Sequence, residues 1–174
     1  MIVDVRGAFR IFDANIYTSE RDFTTAEVDL WIDASSITTG DAKRDAHLKS
    51  IDFFNVENHK QITFTSSTMG KADKAGNHEL WGELTIKGIT RKVKLNVRFG
   101  GIAKDPWGKE KAGFTVTGMI NRKDWGLIWN QPIGSGGLMV SEEVVITCEV
   151  ELTAAGSADQ KIELELSSHE NGIA

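Results

Sequence analysis

Apolar side chains recur at every second position through most of this chain, the spacing that places them on one face of a β-strand. Val28, Leu30 and Ile32 alternate with Asp29, Trp31 and Asp33, and Ile62 and Phe64 alternate with Gln61, Thr63 and Thr65. Leu80, Gly82, Leu84 and Ile86 share one parity. Val93, Leu95, Val97 and Phe99 are interleaved with Lys92, Lys94, Asn96 and Arg98, so one face of that strand is solvated. Phe114, Val116, Gly118 and Ile120 repeat the pattern, as do Val144, Ile146, Cys148, Val150 and Leu152, while Val5 to Tyr17 supplies a less regular strand. The turn signals Ala75-Gly76-Asn77, Lys87-Gly88 and Asp105-Pro106-Trp107-Gly108 fall between these runs. Strands joined by short turns along the whole length specify an antiparallel barrel or sandwich rather than a parallel α/β sheet.

Two segments break the rhythm. Asp41 to Ser50 sets Ala42, Ala46 and Leu48 among charged residues, with Asp41 as a first-turn acid, and predicts a short helix. Asp124 to Ser141 carries Trp125, Trp129, Pro132 and the glycines of Ile133-Gly134-Ser135-Gly136-Gly137, and predicts a mobile loop bearing large apolar side chains. After Leu152 a small, polar linker at Ala154 to Ser157 leads to a further alternating run, Lys161 to Leu166. The organisation expected is one barrel domain over 1–153 with a C-terminal extension, 154–174, that offers a candidate for an added strand.

Bulk properties narrow the functions. With 174 residues, 40% of them hydrophobic, the chain is long enough for one domain with a real core. A formal net charge of −5 and no clustered Lys and Arg argue against nucleic acid as a partner, because a polyanion demands a basic patch. The single cysteine, Cys148, forbids an intrachain disulfide and a Cys-based zinc site, and its place on an apolar parity predicts a buried, inert thiol. No window reaches the roughly 20 apolar residues of a membrane helix, and Met1 to Arg6 lacks the apolar core of a signal peptide. A cytoplasmic protein is expected from the sequence as it stands, and a periplasmic one if a signal segment precedes it.

Candidate chemistry is sparse. His47, His59, His78 and His169 form no His-x-His or His-x₃-His pair, so no metal site is expected, and His47 is expected to make a structural hydrogen bond in its turn. Arg44 and Asp45 lie near no nucleophile motif and are read as a charge-assisted cap at a barrel rim. Arg122, Lys123 and Asp124 present the same choice between structure and catalysis. Trp31 and Trp81 oppose the apolar parity and point outward. Trp107, Trp125 and Trp129 fall in turns or loops, where they are either surface anchors or, for Trp125 and Trp129, the mouth of a tunnel. Gly82, Gly118 and Ser66 on the inward parity reduce side-chain volume, which predicts room for a ligand.

The order of residues in Ser35-Ser36-Ile37-Thr38, Arg44-Asp45-Ala46-His47-Leu48-Lys49-Ser50-Ile51-Asp52-Phe53-Phe54 and His59-Lys60-Gln61-Ile62-Thr63-Phe64 resembles the signature of the YceI-like family of polyisoprenoid-binding proteins. Gly82 to Thr90, Gly113-Phe114 and Asn121-Arg122-Lys123-Asp124-Trp125-Gly126 follow in the family's order and spacing. The resemblance implies a lipocalin-like, eight-stranded antiparallel barrel with a short helix in one connection. Its apolar tunnel would hold the tail of a polyprenyl quinone or polyprenyl phosphate, with no cofactor, no metal and no catalytic apparatus. It also implies a homodimer and allows transient membrane contact. The lining expected is Leu30, Ile32, Phe64, Leu84, Ile86, Leu95, Val97, Phe114 and Val116, with Trp125, Trp129 and Met139 at the mouth. Two rivals stay open: an enzyme acting on a lipid or quinone, which requires a strongly shifted ionisable group in the cavity, and a ligand-free interaction protein with a filled interior. The family's usual first strand, with a Trp and an Asp-x-x-His-Ser-type motif, has no match here. Either residues upstream of Met1 supply it or the run Lys161 to Leu166 takes its place, because an open barrel would expose two unpaired edges.

Overall fold

A computed structural model describes residues 5–19, 22–132, 139–153 and 162–165, the last by backbone only. In chain order the elements are β1 (Ala8–Phe9), β2 (Phe12–Ser19), β3 (Asp22–Asp33), a 3-10 turn (Ala34–Ser36), β4 (Ile37–Thr38), α1 (Ala42–Lys49), β5 (Gln61–Met69), β6 (Asn77–Ile86), β7 (Ile89–Lys104), β8 (Glu110–Asn121), a second 3-10 turn (Arg122–Trp125), β9 (Glu143–Thr153) and β10 (Ile162–Glu165). Seven strands, β2, β3 and β5 to β9, curl into an antiparallel sheet, and β10 bridges β9 to β2 to close the barrel. The closing contact is short: Ile162 and Glu163 pair with Ile16 and Asn15, and Glu163 to Glu165 pair with Thr153 to Glu151. The alternating C-terminal run therefore lies in the seam between the first and last long strands, where the sequence pattern offered it.

The irregular N-terminal strand is two strands. β1 pairs with β4 in a separate two-stranded sheet, and the chain turns at Arg10 and Ile11, whose N–H groups both donate to Ser36 Oγ at 3.1 Å. That hydroxyl satisfies the Ile11 N–H, which the change of sheet partner would leave unpaired, while the Arg10 N–H is shared with the Ser36 carbonyl at 3.3 Å.

Of the predicted turns, Lys87-Gly88 is the tightest. Ile86 pairs with Ile89 across it, and φ is +51° at Lys87 and +73° at Gly88, the left-handed pair of a two-residue hairpin that matches strand twist. Asp41, expected as a first-turn acid, instead caps α1, its carboxylate accepting from Arg44 N at 2.9 Å.

The strand directions sort the connections to two ends. The β6–β7 turn, α1, residues 50–60 and the second 3-10 turn gather at one end; the β5–β6 and β7–β8 turns lie at the other. The core is the inside of the barrel, with Ile16, Ala26, Phe64, Leu84, Val97, Phe114 and Leu152 in one apolar cluster.

Candidate functional site: the barrel interior and its two ends

Alternation decides what faces inward. Leu30 and Ile32 from β3, Phe64 from β5, Leu84 and Ile86 from β6, Leu95 and Val97 from β7, and Phe114 and Val116 from β8 join a single interior cluster, as the sequence parity implies. Phe64, Leu84, Ile86, Val97 and Phe114 are buried, whereas Leu30, Ile32, Leu95 and Val116 keep part of their surface. Val28, Ile146 and Val150, also of inward parity, are likewise half-buried. The middle of the interior is thus apolar and incompletely closed over.

The inward glycines are not the source of that space. A Cβ at Gly118 would stand 2.4 Å from Leu95 Cδ2, and one at Gly82 would meet the Phe64 ring at 2.4 Å and the Thr65 carbonyl oxygen at 2.5 Å. Both glycines are sockets that neighbouring side chains already fill. Ser66 is likewise engaged: its Oγ accepts from Val28 N at 2.7 Å, next to the bulge that shifts the β5–β6 register between Ser66 and Thr68.

At the end away from α1 three rings meet. Phe23 lies 5.0 Å from Phe114 in an edge-on contact and 6.0 Å from Phe99, and Phe99 lies 5.3 Å from Phe114. These come from β3, β7 and β8 and cross the lumen, which makes them an aromatic lid with Phe99 at its exposed rim. Beside them, where β7 bulges between Phe99 and Gly101, Gly100, Gly101 and Gly113 border a groove of about 410 Å³ that extends to Glu149 and Glu151.

At the α1 end the expected mouth residues separate. Trp125 is only 2% exposed, and its indole N–H donates to the Leu84 carbonyl at 3.0 Å; it plugs the barrel instead of framing an opening. The first part of the predicted mobile loop is accordingly a packed turn, with Leu127 buried beside it. Trp129 is half-buried and stands edge-on to His47 at 4.5 Å and tilted to Phe53 at 5.4 Å. His47 in turn holds Asp52 through Nε2 at 2.9 Å. Met139 is 49% exposed and outside the cluster, because Asn130 clamps both the N–H and carbonyl of Val140 and the Met139 N–H turns to Gln131 O. The glycine run 133–137 and the linker 154–157 lie outside the described residues.

The charged rim is structural. Asp45 accepts from the Thr39 hydroxyl at 2.6 Å, the Thr39 N–H at 2.7 Å and the Thr38 hydroxyl at 3.0 Å, and the Thr39 hydroxyl leads in holding its carboxyl below the ordinary 3.8. Arg44 reaches the same Thr39 from the other side, through Nε at 2.8 Å. Burial pushes the Cys148 thiol up to about 11, with Glu149 adding to the effect, the opposite of what a nucleophile requires. Among the described residues no group of three or more His, Cys, Asp or Glu is placed to hold a metal.

Arg122, read in the sequence as either structural or catalytic, is a buried residue. It is 3% exposed, and its N–H donates to Glu142 O at 2.9 Å, extending the β8–β9 ladder one step past Asn121. It therefore keeps the inward parity of Phe114, Val116, Gly118 and Ile120. Counting two further along that run was the signal that could have found it.

A closed antiparallel barrel with an apolar, partly accessible lumen places the chain among lipocalin-like barrels. The chain belongs to the YceI-like family: the family's domain model matches residues 1–152. It is 36% identical over 154 residues to a UPF0312 protein of Staphylococcus aureus strain MSSA476, covering 88% of this chain and 86% of that one. Among solved structures it resembles the YceI protein of Campylobacter jejuni, with a TM-score of 0.76 and 29% identity over 89% of this chain and 88% of that one. BcnA of Burkholderia cenocepacia shares the fold, with a TM-score of 0.69 and 23% identity over 87% and 89% of the two chains.

Proposed function

We propose that this protein binds a long-chain polyisoprenoid, tail inside the barrel, without transforming it. The observation that carries the reading is the half-buried state of inward-facing Leu30, Leu95, Val116 and Ile146. Apolar side chains that face a core and still keep accessible surface are what an extended hydrocarbon would cover, and each buried CH₂ contributes about 0.8 kcal/mol. An isoprenoid needs few polar contacts, which agrees with a lumen whose described side chains are almost wholly apolar. Family membership supports the same reading.

The filled sockets at Gly82 and Gly118 favour a second reading, an interaction protein with a packed interior. Co-elution separates the two. A long-chain polyprenol dispersed without detergent should migrate with the protein on gel filtration at a fixed ratio; a polyprenol that never co-migrates, alongside folded protein, refutes binding. An enzyme on the same scaffold would need an ionisable group tuned for chemistry, and Cys148 is shifted away from reactivity. The assembly that accompanies this reading is a homodimer, which light scattering would reject by a concentration-independent monomer mass.

A further inference from the structure

Arg122 is buried at the α1 end of the barrel with one arm of its guanidinium unused. Nε donates to the Ser141 carbonyl at 2.7 Å and Nη1 donates to the Leu127 carbonyl. Nη2 is buried and has no hydrogen-bond partner among the described residues. Both occupied acceptors are neutral carbonyls. The acid whose charge acts on it, Glu142, is itself paired with Lys123 Nζ. A guanidinium does not lose its proton in a protein, so this is a buried cation with two N–H bonds fixing its plane and a third donor group facing no acceptor. A buried donor group left without an acceptor is destabilising. An expense of this kind is commonly retained where a ligand supplies the missing charge, and a guanidinium's fork matches an oxyanion.

We propose that Arg122 is the receptor for a phosphate-type anion, the phosphate or diphosphate head of the isoprenoid whose tail fills the lumen. This rests on the polyisoprenoid reading above. Arg122 follows Ile120 on the inward parity of β8, so a head at Nη2 leaves the tail running along Val116 and Phe114 toward the aromatic lid. The carbonyl bonds to Leu127 and Ser141 hold the guanidinium still, which reduces what binding would lose in side-chain freedom.

The test compares three probes by calorimetry on the full chain: geranylgeranyl phosphate, geranylgeraniol and inorganic diphosphate. The wild type should bind the phosphate about tenfold or more tightly than the alcohol, the margin of one charge-assisted contact. Arg122→Met should bring the two within about twofold, and Arg122→Lys should retain part of the preference. Equal binding of phosphate and alcohol by the wild type overturns the proposal without any variant. So does a preference that persists in a folded Arg122→Met protein. If inorganic diphosphate alone binds in an Arg122-dependent way and neither prenyl compound does, the anion site stands and the polyisoprenoid reading falls. If none of the three binds, both fall; if geranylgeraniol binds and the phosphate gains nothing, only the Arg122 assignment does.

Discussion

Adding one methyl group at Gly82 is the sharpest probe of how the interior is packed. In Gly82→Ala the new Cβ would lie 2.4 and 2.5 Å from two carbons of the Phe64 ring and 2.5 Å from the Thr65 carbonyl oxygen. The ring can turn away, but it is 4% exposed, and overpacking a site of that kind costs about 1–3 kcal/mol. The carbonyl belongs to the β5 backbone, so relieving that contact means separating β5 from β6 beside the existing bulge, at about 0.5–1.5 kcal/mol per weakened ladder bond. Together these give about 1.5–4.5 kcal/mol, or ~3–18 °C in Tm for a domain of this size. Gly118→Ala meets only the tip of Leu95 at that distance and should lose about 1 kcal/mol. The assay is chemical denaturation of both single variants and of the pairs Gly82→Ala with Phe64→Leu and Gly118→Ala with Leu95→Val. Shortening Leu95 should relieve Gly118→Ala, whereas changing Phe64 should relieve Gly82→Ala only in part, because the backbone contact remains. A Gly82→Ala protein as stable as the wild type, or more stable, would refute the socket account and restore these glycines as open volume.

Three further outcomes follow from separate features. Cys148, with its thiol raised from 9.0 to about 11, should react with an alkylating agent at pH 8 about a hundredfold more slowly in the native state than when unfolded; equal rates would contradict its burial. Asp45 has its folded pKa held below 3.8, so its contribution to stability is present above that value and disappears as pH falls through the folded-state pKa. The Tm gap between wild type and Asp45→Asn should therefore close in acid, and a gap that is constant with pH would rule out this linkage. Removing residues 154–174 takes away the strand that pairs with both β2 and β9, and should lower the unfolding midpoint and promote aggregation through the two freed edges; an unchanged midpoint and solubility would show that β10 contributes nothing to closure.

Period-two alternation carried most of the fold, because a strand with one buried face writes its own orientation into the sequence. Val93, Leu95 and Val97 against Lys92, Lys94 and Asn96 is the clearest case, and Ile162 and Leu164 were visible as a strand for the same reason. Partners far away in sequence were not legible. Trp125 looked like a loop residue at a mouth because the acceptor for its indole, Leu84 O, is 41 positions distant. Gly82 and Gly118 looked like empty volume because composition does not reveal that Phe64 and Leu95 lean into them. The kink at Arg10 and Ile11 depends on the Ser36 hydroxyl, which no local pattern announces. Arg122 shows the converse failure: its parity was readable, but beside Lys123 and Asp124 it left structure and catalysis equally open, and its burial was not legible.

The central claim, a barrel that holds a polyisoprenoid, is tested most directly by native mass spectrometry of the protein as purified, with organic extraction of the same sample to identify any bound species. The account predicts a population heavier than the polypeptide by the mass of one prenyl lipid, lost on denaturation and recovered in the organic phase. Protein at its polypeptide mass only, both as isolated and after incubation with polyprenyl phosphate and polyprenyl quinone, would contradict it.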